Sequence, residues 1–323
     1  IYTIGLLASM LVGMFIAACF GPSPSPAEAE PEAAPEAAAP VEQAGESTLD
    51  VVMNRGNLIC VGNATVPGFG FLEEDGSFSG FDVDFCSAVA AAIFGDAEAY
   101  EVRATTASER FTVLQSGEAD VLFRNTTWTM SRDTHLGANF GPTTFYDGQG
   151  IMVRKEDGFS SLADLNGGSI CVQTGTTTEL NLADQMAAAG VEYEPVVFET
   201  NDETFGAYEE GRCDAVTTDK SGLVSRQTVL AEPDAHTIMD VTLSKEPLGP
   251  MVRHGDDQWF DIVSWVVFAT FLAEEAGINS ANVDDFMESE DPNIRKLLGL
   301  EGEFGAKVGL SNEWAYNVIK QVG

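Results

Sequence analysis

The chain has 323 residues, 44% of them hydrophobic, and sets 16 Lys and Arg against 51 Asp and Glu, a formal charge of −35. Phosphate backbones would meet that charge as repulsion, which argues against nucleic acid as a partner, and the spread of the acids along the chain reads as solubility. The length exceeds what one small core holds, so two lobes are expected once the terminal segment is set aside.

Residues 4–18 are almost wholly apolar and end in Ile16-Ala17-Ala18-Cys19. That is too short for a membrane span but suits an export signal with small residues ahead of its cleavage point. The ending resembles a lipobox, which implies a lipoprotein-type signal segment at 1–18 and lipid on Cys19. The chain opens on Ile1 without a basic leader, so it reads as clipped at its front. Residues 19–55 are expected to be a tether. Phe20 to Asp50 is rich in Pro, Ala, Glu and Ser, with seven acids and no Lys or Arg, too little apolar surface to fold. Such a segment serves either a lipid anchor or, as a plain spacer, a soluble periplasmic protein.

From Gly56 onward, short β-branched runs alternate with helical patterns: Leu58 to Gly62, Asp82 to Phe94, Tyr100 to Ala104, Arg110 to Gln115 and Asp120 to Arg124. The rhythm restarts at Ser169 to Gln173, with a helix from Thr177 to Ala189 and strands near Glu194 to Phe198 and Asp214 to Thr217. This is the pattern of two α/β lobes. Gly148, Gly150, Pro247, Gly249 and Pro250 punctuate two stretches where the chain can cross between lobes, so the C-terminal segment returns to the first. Trp259 to Ala273 is broken by Asp261, Ser264 and Thr270 and is too short to span, which predicts a buried helix.

Residues 80 to 93, Gly-Phe-Asp-Val-Asp-Phe-Cys-Ser-Ala-Val-Ala-Ala-Ala-Ile, join a turn to a helix. Gly80 permits the turn, Asp82 and Asp84 sit where the helix dipole favours negative charge, and Val83, Val89, Ala90 and Ile93 follow one buried face. Position by position the string resembles the signature of bacterial extracellular solute-binding proteins of family 3, the polar amino-acid receptors of ABC importers. Arg124-Asn125-Thr126-Thr127-Trp128, Pro247-Leu248-Gly249-Pro250 and Gly255 to Trp259 are most similar to the receptors of broad specificity for L-amino acids. The resemblance covers nearly everything after Leu58. It implies a two-lobed type II periplasmic-binding fold, an α/β architecture with two hinge crossings, with one lobe at 56–145 plus 247–323 and the other at 146–246. Those relatives continue past Gly323, so the back of the chain also reads as clipped.

A free amino acid presents a carboxylate and an ammonium on one carbon, so a dry pocket needs a fixed partner for each. A guanidinium and an aspartate supply them. The resemblance makes Arg132 the carboxylate-binding arginine, with Asn125 and Thr127 lining the ligand; on residue type alone Arg132 could equally be a surface ion pair. Thr177 and Thr178, after the glycine turn at Gly175, are implied as carboxylate donors from the opposite lobe, with a plain helix cap as the alternative. Asp219, at the carboxyl end of a strand, matches the ammonium-binding aspartate. Phe69 resembles the aromatic wall of the side-chain pocket, with Phe71 as its alternate, although Val66 stands where an aromatic ring is frequent.

Four further cysteines in an exported chain predict two bridges from three connectivities. Pairing Cys60 with Cys86 and Cys171 with Cys213 keeps each staple within one lobe and leaves interlobe motion free. No CxxC spacing occurs and His135, His236 and His254 are scattered, so neither a metal nor a cofactor is expected. The reading is a monomeric extracytoplasmic receptor, without catalytic residues, that closes on an L-α-amino acid and delivers it to an ABC permease. A cyclohexadienyl-type dehydratase or a sensory ligand-binding module on the same fold is the alternative.

Overall fold

The computed structural model describes residues 46–323; the expected signal segment 1–18, Cys19 and the tether as far as residue 45 lie outside the described residues. Its first element corrects the expected end of the tether, because Thr48–Arg55, placed within 19–55 on composition, is a helix. Ser47 caps it, its Oγ accepting from the backbone N–H of Asp50 at 3.1 Å. Leu49 and Val52 sink from this helix into the first core. Two buried side chains thus anchor a segment whose polar neighbours conceal it.

Two sheets carry the rest. In the first, Leu58–Gly62 lies between Tyr100–Ala104 and Val121–Leu122, all parallel, and Met251–Arg253 and Ala138–Phe140 extend it with antiparallel pairing. In the second, Ser169–Gln173 lies between Glu194–Phe198 and Ala215–Asp219, again all parallel, and Phe145–Arg154 runs antiparallel beside Ala215–Asp219. In each sheet the first of the three parallel strands is therefore the central one of those three. Such a switch in strand order opens a crevice beyond the carboxyl ends of the strands, where α/β proteins take their ligands.

The two crossings are strands rather than loops. Phe145–Arg154 and Ser244–Leu248 pair antiparallel, from Gln149 opposite Ser244 to Phe145 opposite Leu248. Gly148 and Pro247 lie inside that ladder. A two-stranded ribbon can bend while its hydrogen bonds keep its register, which is what a hinge between two rigid sheets requires.

Cys60, on the central strand of the first sheet, is bonded to Cys86 of helix Phe81–Phe94. Cys171, on the central strand of the second, is bonded to Cys213, just ahead of Ala215–Asp219. All four residues are buried. Helix Asp257–Ala276 sends Trp259, Ile262, Val263, Val266 and Val267 into the first core and leaves Trp265, Phe268, Phe271 and Leu272 exposed, so the helix expected at 259–273 is buried along one face only. No described helix is long and apolar enough to cross a membrane.

Candidate ligand-binding site

The carboxyl ends of the parallel strands converge on one cleft. The first sheet contributes Asn63, Arg124, Asn125 and Thr127; the second contributes Gln173, Thr176 to Thr178, Asn201 and Asp219. The space they bound is about 530 Å³ when the open solvent at its mouth is included. The lobes touch around it: the Oγ1 atoms of Thr127 and Thr177 lie 3.3 Å apart, Arg226 Nη1 donates to the carbonyl of Thr65 at 2.8 Å, and Ser225 Oγ donates to that of Pro67 at 2.5 Å. At Gly175 (φ 72°) an added Cβ would stand 2.7 Å from Ser108 Oγ. Glycine there lets the second lobe close against the first.

Arg132 belongs to the short helix Met130–His135, capped by Thr129, and is buried. Its Nη1 donates to the Thr127 carbonyl at 3.0 Å, so it stands at the edge of the cleft beside Thr127, which is part of the lining. Arg110 shares the ring of Phe111 with it, the two guanidinium carbons standing 4.8 and 5.2 Å from the ring centroid. Arg110 and Arg124 do line the cleft. Arg110 Nη1 donates to the Arg124 carbonyl at 3.2 Å, and Arg124 Nε to the Thr105 carbonyl at 3.0 Å. Among the described residues no carboxylate forms an ion pair with any of these three. Burial brings Arg132 and Arg124 down to about 10, and burial with the neighbouring guanidiniums takes Arg110 well below the ordinary range. Arginine keeps its proton at neutral pH, so the cost remains as unmet demand for an anion.

Asp219 ends its strand on the opposite wall. Burial pushes its carboxyl well above the ordinary range, Asp147 and Glu246 push it further, and Arg110 and Arg132 pull it back. Its Oδ1 is shut off from solvent without a hydrogen-bond partner, as is Oδ1 of Asn125. Asn125 has the left-handed backbone that asparagine tolerates, at φ 38°, and its N–H donates to Asp82 Oδ2 at 2.7 Å. Asp82 therefore serves more than the helix dipole: it is buried, and burial raises its carboxyl to about 6. Two orphaned acceptors, together with the buried guanidiniums of Arg124 and of Arg110, whose Nε also lacks a partner, complement a zwitterion.

Thr176 caps helix Thr177–Ala189, its Oγ1 accepting from Glu179 N at 3.1 Å. Thr177 Oγ1 donates to Glu246 Oε2 at 2.8 Å, and the hydroxyls of Thr178 and Thr176 are 2.9 Å apart. With those hydroxyls engaged, the N–H groups at the helix start are the donors available to an anion. Phe69 departs from the expected aromatic wall. It packs edge-on against Phe81 and Phe145, at 5.9 and 5.2 Å between centroids, and Val66 of the same loop lines the cleft. Aromatic neighbours offered that ring more burial than the cleft does. The sequence reading passed over Arg110, Arg124, Asn63, Asn201 and Arg226. Arg124 had a signal, a cation directly after the apolar run Val121-Leu122-Phe123, where only a functional or paired charge is worth burying.

This is a two-lobed periplasmic-binding fold with its cleft between the sheets. Residues 58–270 match the bacterial extracellular solute-binding proteins, family 3. The chain is 53% identical over 288 residues to the general L-amino acid-binding periplasmic protein AapJ of Rhizobium johnstonii, covering 88% of this chain and 84% of that one. It is 48% identical to the glutamate/glutamine/aspartate/asparagine-binding protein BztA of Rhodobacter capsulatus, over 89% and 85% of the two chains. Among solved structures, an ABC transporter periplasmic binding protein from Brucella ovis with glutathione bound matches with a TM-score of 0.83 at 49% identity, over 85% of this chain and 87% of that one. The chain belongs to the bacterial extracellular solute-binding proteins of family 3. It is an extracytoplasmic solute-binding protein serving an ABC importer.

Proposed function

We propose that this receptor captures an L-α-amino acid between Arg132 and Asp219 and presents the closed form to its permease. The ammonium goes to Asp219 and Asn125 Oδ1; the α-carboxylate goes to Arg132, the Thr127 region and the helix start at Thr177 and Thr178. The observation that carries this reading is Asp219 Oδ1, buried without a partner in the space where Arg110 and Arg132 offset its charge. The moving bodies are residues 56–145 with 247–323 and residues 146–246, turning on the paired crossing strands. The extra guanidiniums of Arg110 and Arg124 favour ligands with a second anionic or amide group. That is consistent with the ligands in the BztA name and with glutathione, whose γ-glutamyl head carries the same ammonium and carboxylate.

The protein acts as a monomer, held at the membrane through lipid on Cys19, and it binds without turnover. A dehydratase would need an acid or base aimed at a substrate carbon; His236, which is hydrogen-bonded to Tyr208 Oη through Nδ1 at 2.8 Å, is committed elsewhere. Calorimetry with the twenty L-amino acids and glutathione, alongside turnover assays on prephenate and arogenate, tests the proposal. Turnover, or the absence of heat from every amino acid, overturns it.

A further inference from the structure

Beyond the zwitterion cage, one helix carries a second reading element. Lys220–Gln227 begins directly at Asp219, and Asp219, Gly222 and Arg226 all line the cleft. Their spacing of three and then four residues puts them on one face of that helix. Arg226 lies roughly 10 Å along the axis from Asp219, and helical side chains lean back toward the N-terminus, so its guanidinium reaches part of that way toward the ammonium site. Gly222, between them, contributes no side chain, and a Cβ there would stand 3.2 Å from Cγ2 of Thr218, another lining residue.

Arg226 is held firmly. Asp202 Oδ1 lies 2.8 Å from its Nη1, its guanidinium carbon stands 5.1 Å from the Phe205 ring centroid, and its Nη1 donates to the Thr65 carbonyl across the cleft at 2.8 Å. Its Nε is buried without a partner. Nearby, Asn63 Oδ1 is engaged by the N–H groups of Ala64 and Thr65, which leaves the Asn63 amide N–H donors free for a ligand acceptor.

We infer that Arg226 is a specificity-determining residue that reads an oxygen at the far end of the ligand side chain, so the receptor selects L-amino acids such as glutamate and glutamine over short or apolar ones. This rests on the zwitterion cage proposed above. With the ammonium fixed at Asp219, the side chain of glutamate or glutamine runs past Gly222 and closes the remaining distance, whereas the methyl of alanine does not. Because Arg226 also spans the lobes, a ligand that reaches it adds to closure.

The test is Arg226→Met and Arg226→Lys in the full folded chain, with calorimetric Kd values for L-glutamate, L-glutamine and L-alanine on each. In the Met variant, affinity for glutamate and glutamine should fall about 30-fold or more. Alanine should lose less than about fivefold, the share of the Thr65 hydrogen bond. The Lys variant should recover part of the glutamate affinity. Alanine binding in the same sample reports that the variant is folded. An equal loss for all three ligands would reduce Arg226 to a tie between lobes and overturn the inference, as would no loss at all. Wild-type protein that binds none of the three would remove the cage reading and this inference together, whereas wild-type binding with an unchanged glutamate-to-alanine ratio in Arg226→Met removes this inference alone.

Discussion

Replacing Asp219 with asparagine separates what this carboxylate contributes to binding from what it costs the empty protein. Its Oδ1 is buried and unpartnered, and Asp147 and Glu246 add like charge. An unsatisfied buried polar atom costs about 1–3 kcal/mol, more when charged. Asparagine keeps a polar group there but removes the charge, and for a protein of this size each kcal/mol moves the midpoint by about 1.5–2 °C, so the ligand-free Asp219→Asn protein should melt a few degrees above wild type. The gap has a pH sign. A carboxyl raised in the folded state contributes stability at low pH that is lost as pH rises through its folded pKa, so the variant's advantage should widen upward from acid. The same change leaves an ammonium facing an amide and should cost about 2–5 kcal/mol of affinity, from 30-fold to several thousandfold. Calorimetry with the tightest-binding amino acid and thermal melts from pH 4 to 8 read both effects. A variant that binds like wild type ends the ammonium assignment; one that binds weakly yet gains no stability shows that the carboxylate was satisfied in the empty cleft.

Arg132→Ala should lose a comparable about 2–5 kcal/mol of affinity for every amino acid, since the α-carboxylate is common to all; titrations within threefold of wild type would reassign that role to Arg110. Asp82, raised from 3.8 to about 6 by burial, should cost wild type about 2 kcal/mol of stability relative to Asp82→Asn between pH 4 and pH 7, lost as pH rises. Urea melts at both pH values check this, and parallel pH slopes for the two proteins would show that the buried carboxyl is not titrating there. Replacing Cys171 and Cys213 by serine opens a link across 42 residues and should lower stability by about 4 kcal/mol, slightly more than opening the 26-residue Cys60 to Cys86 link. A non-reducing peptide map that joined cysteines of different lobes would contradict both bridges.

The parallel strands were legible because they announce themselves, whereas the antiparallel strands, such as Phe145–Arg154 and Met251–Arg253, were not read. Leu58 to Gly62 and Tyr100 to Ala104 are short β-branched runs between turns, and they pair residue for residue along their whole length. The helix at Thr48–Arg55 was hidden because it is only eight residues long and directly follows the Pro/Ala/Glu-rich segment, so its i, i+3 pair Leu49 and Val52 was too short a pattern to stand out. Position in the site was harder to read than membership. Arg132 and Phe69 lie in the right segments, yet one stands at the edge of the cleft beside Thr127 and the other turns into a cluster of phenylalanines. Which way a side chain turns is decided by partners distant in sequence, such as Asp82 for Asn125, and no local propensity encodes that choice.

The charges of the cleft oppose those of the molecule. Four of the sixteen basic residues, Arg110, Arg124, Arg132 and Arg226, gather at one site in a chain of net charge −35. At physiological ionic strength the field of the whole surface fades over about 8 Å, so it governs solubility more than capture. Inside the cleft the dielectric is low and the guanidiniums act at full reach. The signs are unevenly shared between lobes, with Arg110, Arg124, Arg132 and Asp82 on the first and Asp147, Asp219, Glu246 and Arg226 on the second. Closure brings the two sets together, as the pull of Arg110 and Arg132 on Asp219 records. Neither set meets the other in an ion pair. On the reading proposed above, a zwitterion enters between them with its own charges in the matching order and supplies partners for Asp219 Oδ1 and Arg110 Nε, which have none in the protein. On that reading a ligand of this charge pattern adds to the free energy of closing the lobes, and the closed form reports occupancy to the permease.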